Sequence, residues 1–171
     1  KLNYGSSGNG ASTHLGFAMF NTVAGLDIQH IPYKGSPPAI QAMLNGETCC
    51  QFAQLQTVLG QHKAGTLRLI AVSTSKRVPL LPDIPTIGET LKGFEATTWY
   101  GMLGPKGLDP AIVNKFNAAI KTVLEDKETI EKLAAIGNAV RYETPEQFKA
   151  TIKRDRALWA GVVKSTGATV D

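Results

Sequence analysis

A short extended run, Leu2 to Tyr4, enters the stretch Gly5-Ser6-Ser7-Gly8-Asn9-Gly10-Ala11-Ser12-Thr13-His14, and an apolar helical run, Leu15 to Val23, leaves it. This strand, glycine turn and helix constrain the fold more than any other segment. Glycines at 5, 8 and 10 let the backbone turn tightly and approach something small. Ser12 and Thr13 fall where a helix takes its N-cap. The first amides of a helix lack internal partners and point along the positive end of its dipole. A glycine-rich loop feeding such an end can therefore hold a carboxylate or a phosphate. The same residues also suit a capped turn with no ligand, and the motif alone leaves both readings open.

Named motifs with this general shape do not fit. The glycine order is G-x-x-G-x-G, whereas the dinucleotide fingerprint needs G-x-G-x-x-G. No G-K-[ST] follows, so a P-loop is excluded, and no G-x-S-x-G frame surrounds Ser6, Ser7 or Ser12. A generic anion cradle is what remains.

The same strand-to-helix logic then recurs along the chain. Gly25 stops the first helix, expected over about Thr13 to Ala24, and Asp27 to Tyr33 has strand character up to Pro32. Lys34-Gly35-Ser36-Pro37-Pro38 opens a second helix, with Ser36 as N-cap, Pro37 at the first helical position, and Asn45-Gly46 as its end. Thr48 to Ala53 reads as a third strand, Thr57 to Lys63 as a short helix closing at Gly65, and Leu67 to Ser73 as a buried central strand. This βαβαβαβ order predicts an α/β fold with a mostly parallel sheet and right-handed crossovers.

Beyond Ser73 the pattern changes. Arg77 to Thr86 carries Pro79, Pro82 and Pro85 without periodicity and predicts a structured surface loop. One or two helical turns follow at Thr86 to Leu91, then a strand at Thr97 to Leu103. An amphipathic helix starts at Asp109-Pro110, with Ile112, Val113, Phe116, Ala119, Ile120 and Val123 on its apolar face. A helix near Lys127 to Ala135 and a short strand at Ala139 to Tyr142 come next. Thr144-Pro145-Glu146-Gln147 then starts the last helix, with Phe148, Ile152, Trp159, Val162 and Val163 inward.

Composition excludes several classes. The net charge of +4 comes from scattered Lys and Arg, unlike the clustered basic face of a nucleic-acid binder, and it suits an acidic small ligand. No apolar run approaches the ~18 residues needed to span a membrane. Cys49 and Cys50 are adjacent, so in an extended strand they point to opposite faces and read as two small apolar residues. No metal-ligand spacing exists, and neither a metal nor a cofactor is expected. The chain opens on Lys1, directly before its first strand and without Met or a signal peptide, which reads as a piece from which an upstream part has been removed.

Candidate chemistry concentrates at the strand ends. His30 and His62 read as hydrogen-bonded or surface residues, while His14 falls in the first turn after the cradle. Ser12 with His14 could serve as nucleophile and base, but no orienting carboxylate or oxyanion-hole motif accompanies them. Lys34, Gly35 and Ser36 repeat the first loop's design with a cation added, and Ala53-Gln54 ends the third strand. In a parallel sheet all three loops leave the carboxyl edge, where ligands bind, and two helix N-termini facing one crevice would suit a dicarboxylate. Trp99 and Tyr100 read as core residues or as cleft residues.

The runs G-S-S-G-N-G-A-S-T-H-L and I-P-Y-K-G-S-P-P-A-I-Q-A-M-L-N-G-E resemble the Bug family, the periplasmic receptors of tripartite tricarboxylate transporters. The match continues through A-V-S-T-S-K-R-V-P-L-L-P-D-I-P-T-I-G-E-T and F-E-A-T-T-W-Y-G-M-L-G-P-K-G-L-D-P-A-I-V to a closing K-S-T-G-A. The resemblance implies a type II periplasmic-binding-protein (Venus-flytrap) fold and a non-catalytic receptor whose two lobes close over a small mono- or dicarboxylate. It implies a periplasmic location and hand-off to membrane transporter subunits. It makes residues 1–98 the second, ligand-binding lobe, complete. Residues 99–171 become the C-terminal part of a partial first lobe, including the crossover and the last helix. Carried over by position, the ligand loops fall on Gly8, Asn9, Ser12, Thr13 and His14, on Lys34, Gly35 and Ser36, and on Ala53 and Gln54.

The third loop departs from the family. Many members resemble G-x-V-D-x-x-F-D there, with acidic residues where this chain has Cys49 and Ala53. Two other functions share features with this reading: a sensory or regulatory module like the effector domains of LysR-type regulators, and a Ser/His hydrolase. With half of the site outside it, the 171-residue chain is expected to bind ligand weakly or not at all unless it pairs with a second copy. An unpaired sheet edge would favour such self-association.

Overall fold

The computed structural model describes residues 1–166 and divides into two compact units. One comprises Lys1–Thr98 together with the segment from Leu158 onward, and the other is Trp99–Ala157. The closing Gly167 and Ala168 of the family match lie outside the described residues.

The first unit is built on a three-stranded parallel sheet of β1 (Asn3–Ser6), β2 (Gln29–Pro32) and β3 (Cys50–Gln51), in the order β2-β1-β3. Tyr4 pairs with His30 on one side and Cys50 on the other, and Ser6 faces Pro32 at the last rung. Three helices follow the strands: α1 (Ser12–Ala24), α2 (Ser36–Leu44) and α3 (Leu55–Lys63). Alternation of strand and helix in one direction thus gives the α/β layering that the sequence pattern predicts.

The core forms where α1 meets the sheet. Tyr4 and Phe17 are 2% and 4% exposed, and their rings stack 3.9 Å apart. Phe17 meets Phe20 and Phe52 edge-on, and Phe94 completes the cluster. Gly16 permits this approach, because a Cβ there would stand 3.1 Å from the Phe52 ring. Ala39 and Ile40 of α2 and Val58 and Leu59 of α3 are also buried.

Several expected elements take another form. Residues 67–71 form no strand, and Ile70 is 73% exposed. An apolar run becomes a strand only when a neighbouring ladder accepts its backbone bonds, and among the described residues the single bridge here is between Val72 and Thr86. The central strand is β1. Likewise neither 97–103 nor 139–142 is a strand among the described residues, and Tyr100, Met102 and Leu103 are exposed. The loop expected over 77–86 is present, held by Arg77, which donates to both Glu89 carboxylate oxygens and to the Pro82 carbonyl. It ends in the short α4 (Ile87–Thr90), whose N-cap Thr86 forms a complete capping box with Glu89.

The second unit contains α5 (Pro110–Glu125), α6 (Lys127–Ala135) and the start of α7 (Pro145–Thr166). Their starts follow the sequence signals: Asp109 caps α5, Asp126 caps α6, and Thr144 with Gln147 brackets the first turn of α7. The apolar face of α5 exists in the pattern but is not buried, with Ile112, Phe116 and Val123 all exposed. Polar contacts carry much of the order instead. Asn117 bonds the Tyr142 hydroxyl and the Glu143 carbonyl, and the Trp99 indole donates to Asp155 while its ring meets Phe148. On α7, Val162 is buried as expected, whereas Val163 is 37% exposed.

Candidate functional site

Three loops leave the carboxyl edge of the sheet, one from each strand, because all three strands run the same way. The first two are joined by backbone bonds. Tyr33 N–H donates to the Ser6 carbonyl at 3.0 Å, and Gly35 N–H donates to the Ser7 carbonyl at 3.1 Å. Gly8 passes close to the second loop, so that a Cβ there would lie 3.4 Å from the Tyr33 carbonyl oxygen. The Gly8–His14 and Lys34–Ser36 segments therefore form one surface. Ala53 and Gln54 follow β3 on the other side of β1 and precede α3.

Caps at this edge differ from those elsewhere in the chain. The N-caps of α1, α2 and α3 are Ala11, Gly35 and Gln54, and none makes a side-chain capping bond. No first turn of these three helices carries an acidic residue. By contrast α4, α5, α6 and α7 are all capped by Thr or Asp side chains. The polar ends left open are those that converge on the sheet edge.

These facts correct two expected caps. Ser12 and Thr13 are inside α1, not at its cap, because Thr13 Oγ1 is engaged by the Ser7 amide at 2.9 Å and the Ser7 hydroxyl at 2.8 Å. Thr13 thus ties the loop to the helix and leaves the amides of Ser12, Thr13 and His14 without an acceptor among the described residues. Ser36 is the first residue of α2 and Gly35 its cap, with φ 107°, a conformation that favours glycine. Pro37 and Pro38 then carry no N–H, so α2 contributes the Ser36 amide and hydroxyl rather than a full turn of donors.

Burial divides the expected site residues. Thr13 and His14 are buried, Lys34 is exposed, and Gly8, Asn9, Ser12, Gly35, Ser36, Ala53 and Gln54 lie between. His14 Nδ1 accepts the Gly10 amide at 3.1 Å, so it does not serve as a base for Ser12. A different Ser–His pair exists, Ser6 Oγ to His30 Nε2 at 2.6 Å. Ser6 is 1% exposed, and burial together with the adjacent His14 pulls His30 down to about 4. A sequestered hydroxyl beside so weak a base is a poor nucleophile.

His30 is hydrogen-bonded on its strand, as the sequence leads one to expect, and it also joins a ring stack beside the loops. Its ring stacks on His14 at 3.9 Å, nearly parallel at 5°, and on Tyr4 at 4.9 Å. Burial also lowers His14 and pushes the Tyr4 hydroxyl up to about 12. The signal was available in the strand pattern, since the β2 ladder puts His30 opposite Tyr4. Cys49 and Cys50 are both free thiols, the Cys50 thiol directed at the Asn3 carbonyl. No cluster of metal ligands exists among the described residues, and no described helix is long and apolar enough to cross a membrane.

Residues 1–168 match the model of the family described as Tripartite tricarboxylate transporter family receptor, TctC. The chain is 36% identical over 160 residues to Protein BugT of Bordetella pertussis, covering 93% of this chain and 49% of BugT. Rpa4515 of R. palustris, solved with adipate, superposes with a TM-score of 0.90 at 30% identity, over 99% of this chain and 57% of that one. The periplasmic binding protein BugD superposes with a TM-score of 0.83 at 32% identity, over 97% of this chain and 56% of its own. This chain spans about half the length of these proteins.

Proposed function

The chain belongs to the tripartite tricarboxylate transporter receptor family, whose members are binding receptors rather than enzymes, and from that premise we propose that it forms one wall of a carboxylate site. The open N-terminus of α1 is the main anion contact, made by the amides of Ser12, Thr13 and His14 at the positive end of a helix dipole. Gly8 and Asn9 shape the approach, Lys34, Gly35 and Ser36 flank it with a cation and a hydroxyl, and Ala53 and Gln54 border it from β3.

The observation that carries this reading is the contrast in caps. Helix ends without side-chain caps are costly unless water or a ligand satisfies them, and here they occur together at one edge. The adipate bound in Rpa4515 supports a dicarboxylate as the ligand class. In this proposal residues 1–98 are the ligand-binding lobe, and 99–171 belong to the other lobe. The complete receptor works outside the cytoplasm, closes over its ligand, and passes it to membrane subunits of a transporter.

Amide-detected NMR of the chain with added adipate tests the proposal, since it registers even millimolar binding. Selective, saturable shifts at Ser12, Thr13 and His14 are expected. If neither adipate nor any of a panel of mono- and dicarboxylates perturbs them, the proposal fails.

A further inference from the structure

The glycine turn that delivers α1 to the sheet edge is held from beneath by imidazoles. Gly10 N–H donates to His14 Nδ1 at 3.1 Å, which requires a lone pair on that nitrogen and places the ring proton on Nε2. Ser6 Oγ accepts from the Gly8 amide and donates to the Gly8 carbonyl, both at 3.2 Å, and meets His30 Nε2 at 2.6 Å. The two rings then lie face to face at 3.9 Å. Both ends of the Gly8–Gly10 turn are thus anchored on one stacked pair, His14 from α1 and His30 from β2.

We propose that this His14–His30 stack is a neutral strut that positions the Gly8–Gly10 turn, and that acidification releases the turn and any anion held at α1. Protonated His14 offers an N–H where the Gly10 amide needs an acceptor, so its anchor is lost. A charge on His30 would place a cation against the same ring, and like charges so close in a half-buried setting oppose each other strongly. The titratable neighbours supply no compensation. From β1 the packed group is Tyr4, neutral at these pH values, and α1 brings only His14 itself. Among the described residues no carboxylate pairs with either ring, and the loop cation Lys34 is exposed.

The release of an anion rests on the reading of α1 as the carboxylate contact, whereas the strut itself can be tested without ligand. Imidazole and amide NMR of the chain would be followed from about pH 7.5 to about pH 3.5, so that the window spans the point near 4 at which His30 takes up its proton. The expected result is a neutral His14 in the Nε2–H form at the upper end, with Gly8 and Gly10 amide shifts tracking the ring titrations on acidification. His14→Asn and His30→Gln keep a hydrogen-bonding group at the corresponding atom but do not titrate, so both should flatten that response while keeping the turn at neutral pH. Glycine amides that ignore the histidine titration, or that respond equally in both variants, would overturn the strut. With adipate as probe, affinity should fall about tenfold more across this range in the unaltered chain than in His14→Asn, the equivalent of one lost charge-assisted bond. Comparing the two proteins cancels the ionisation of adipate itself. Equal losses in both would overturn the release, whereas no adipate binding at neutral pH would overturn the carboxylate reading and leave the strut to the ligand-free titration.

Discussion

Ala11 offers a direct test of the open helix end. Its backbone, φ −66° and ψ 157°, is already the extended conformation in which a cap side chain reaches the second or third amide of the helix. Here those amides belong to Thr13 and His14. Ala11→Ser supplies a cap oxygen without charge, and Ala11→Asp supplies one with it. Each cap should stabilise the fold by about 1 kcal/mol, a rise of roughly 2–4 °C in Tm at this chain length. The same bond competes with a bound carboxylate for its donors. The ligand must displace a bond that contributes about 1 kcal/mol, so Ala11→Ser should weaken adipate binding by about fivefold. Ala11→Asp should weaken it further, because its carboxylate occupies the positive end of the dipole and repels the ligand. Thermal melts by circular dichroism and amide NMR titrations measure the two effects on the same samples. The reasoning is refuted if both variants melt at or below the unaltered chain, since the amides would then already be satisfied. It is equally refuted if stability rises while adipate binding is unchanged, which would place the ligand elsewhere.

Three further outcomes follow from the core, the loop and the buried imidazoles. Phe17→Ala removes the ring stacked on Tyr4 at 3.9 Å and should cost about 3–5 kcal/mol in urea denaturation, and a loss below about 1 kcal/mol would show that the aromatic cluster is not the core. Thr86→Ala deletes the oxygen that accepts the Glu89 amide and should lower stability by about 1 kcal/mol, read as a fall in Tm with unchanged secondary structure. His30 is held neutral from its ordinary 6.5 down to about 4, so the unfolded chain takes up the proton first. Its contribution to stability should be complete above pH 6.5 and be lost as pH falls toward 4. A His30→Gln variant with the same pH profile of Tm in that window would contradict the assignment.

Local chemistry made much of this fold readable in the sequence. The β1 turn and α1 are contiguous, α5 and α7 carry their own caps at Asp109 and Thr144, and Pro32 ends β2 where its missing donor requires. Residues 67–71 were misleading because an apolar run states a need for burial without naming the strand that would meet it. The caps of α1 and α2 misled for a different reason. A serine or threonine near a helix start resembles a cap, yet Thr13 is drawn to Ser7 by the folded loop, a contact that no spacing rule contains. The histidine stack is similarly nonlocal. It appears only when the β2 ladder brings His30 beside the first turn of α1.

The bonds from Tyr33 to Ser6 and from Gly35 to Ser7 join backbone to backbone. Such links are indifferent to side-chain identity except where proline removes the donor or where Gly35 must keep its left-handed turn. Asn9, Ser12, Lys34 and Ser36 can therefore be exchanged in the course of evolution while the spacing between the two loops is inherited unchanged. In the proposed site, ligand preference can thus change through side chains alone, on a backbone frame that stays in place.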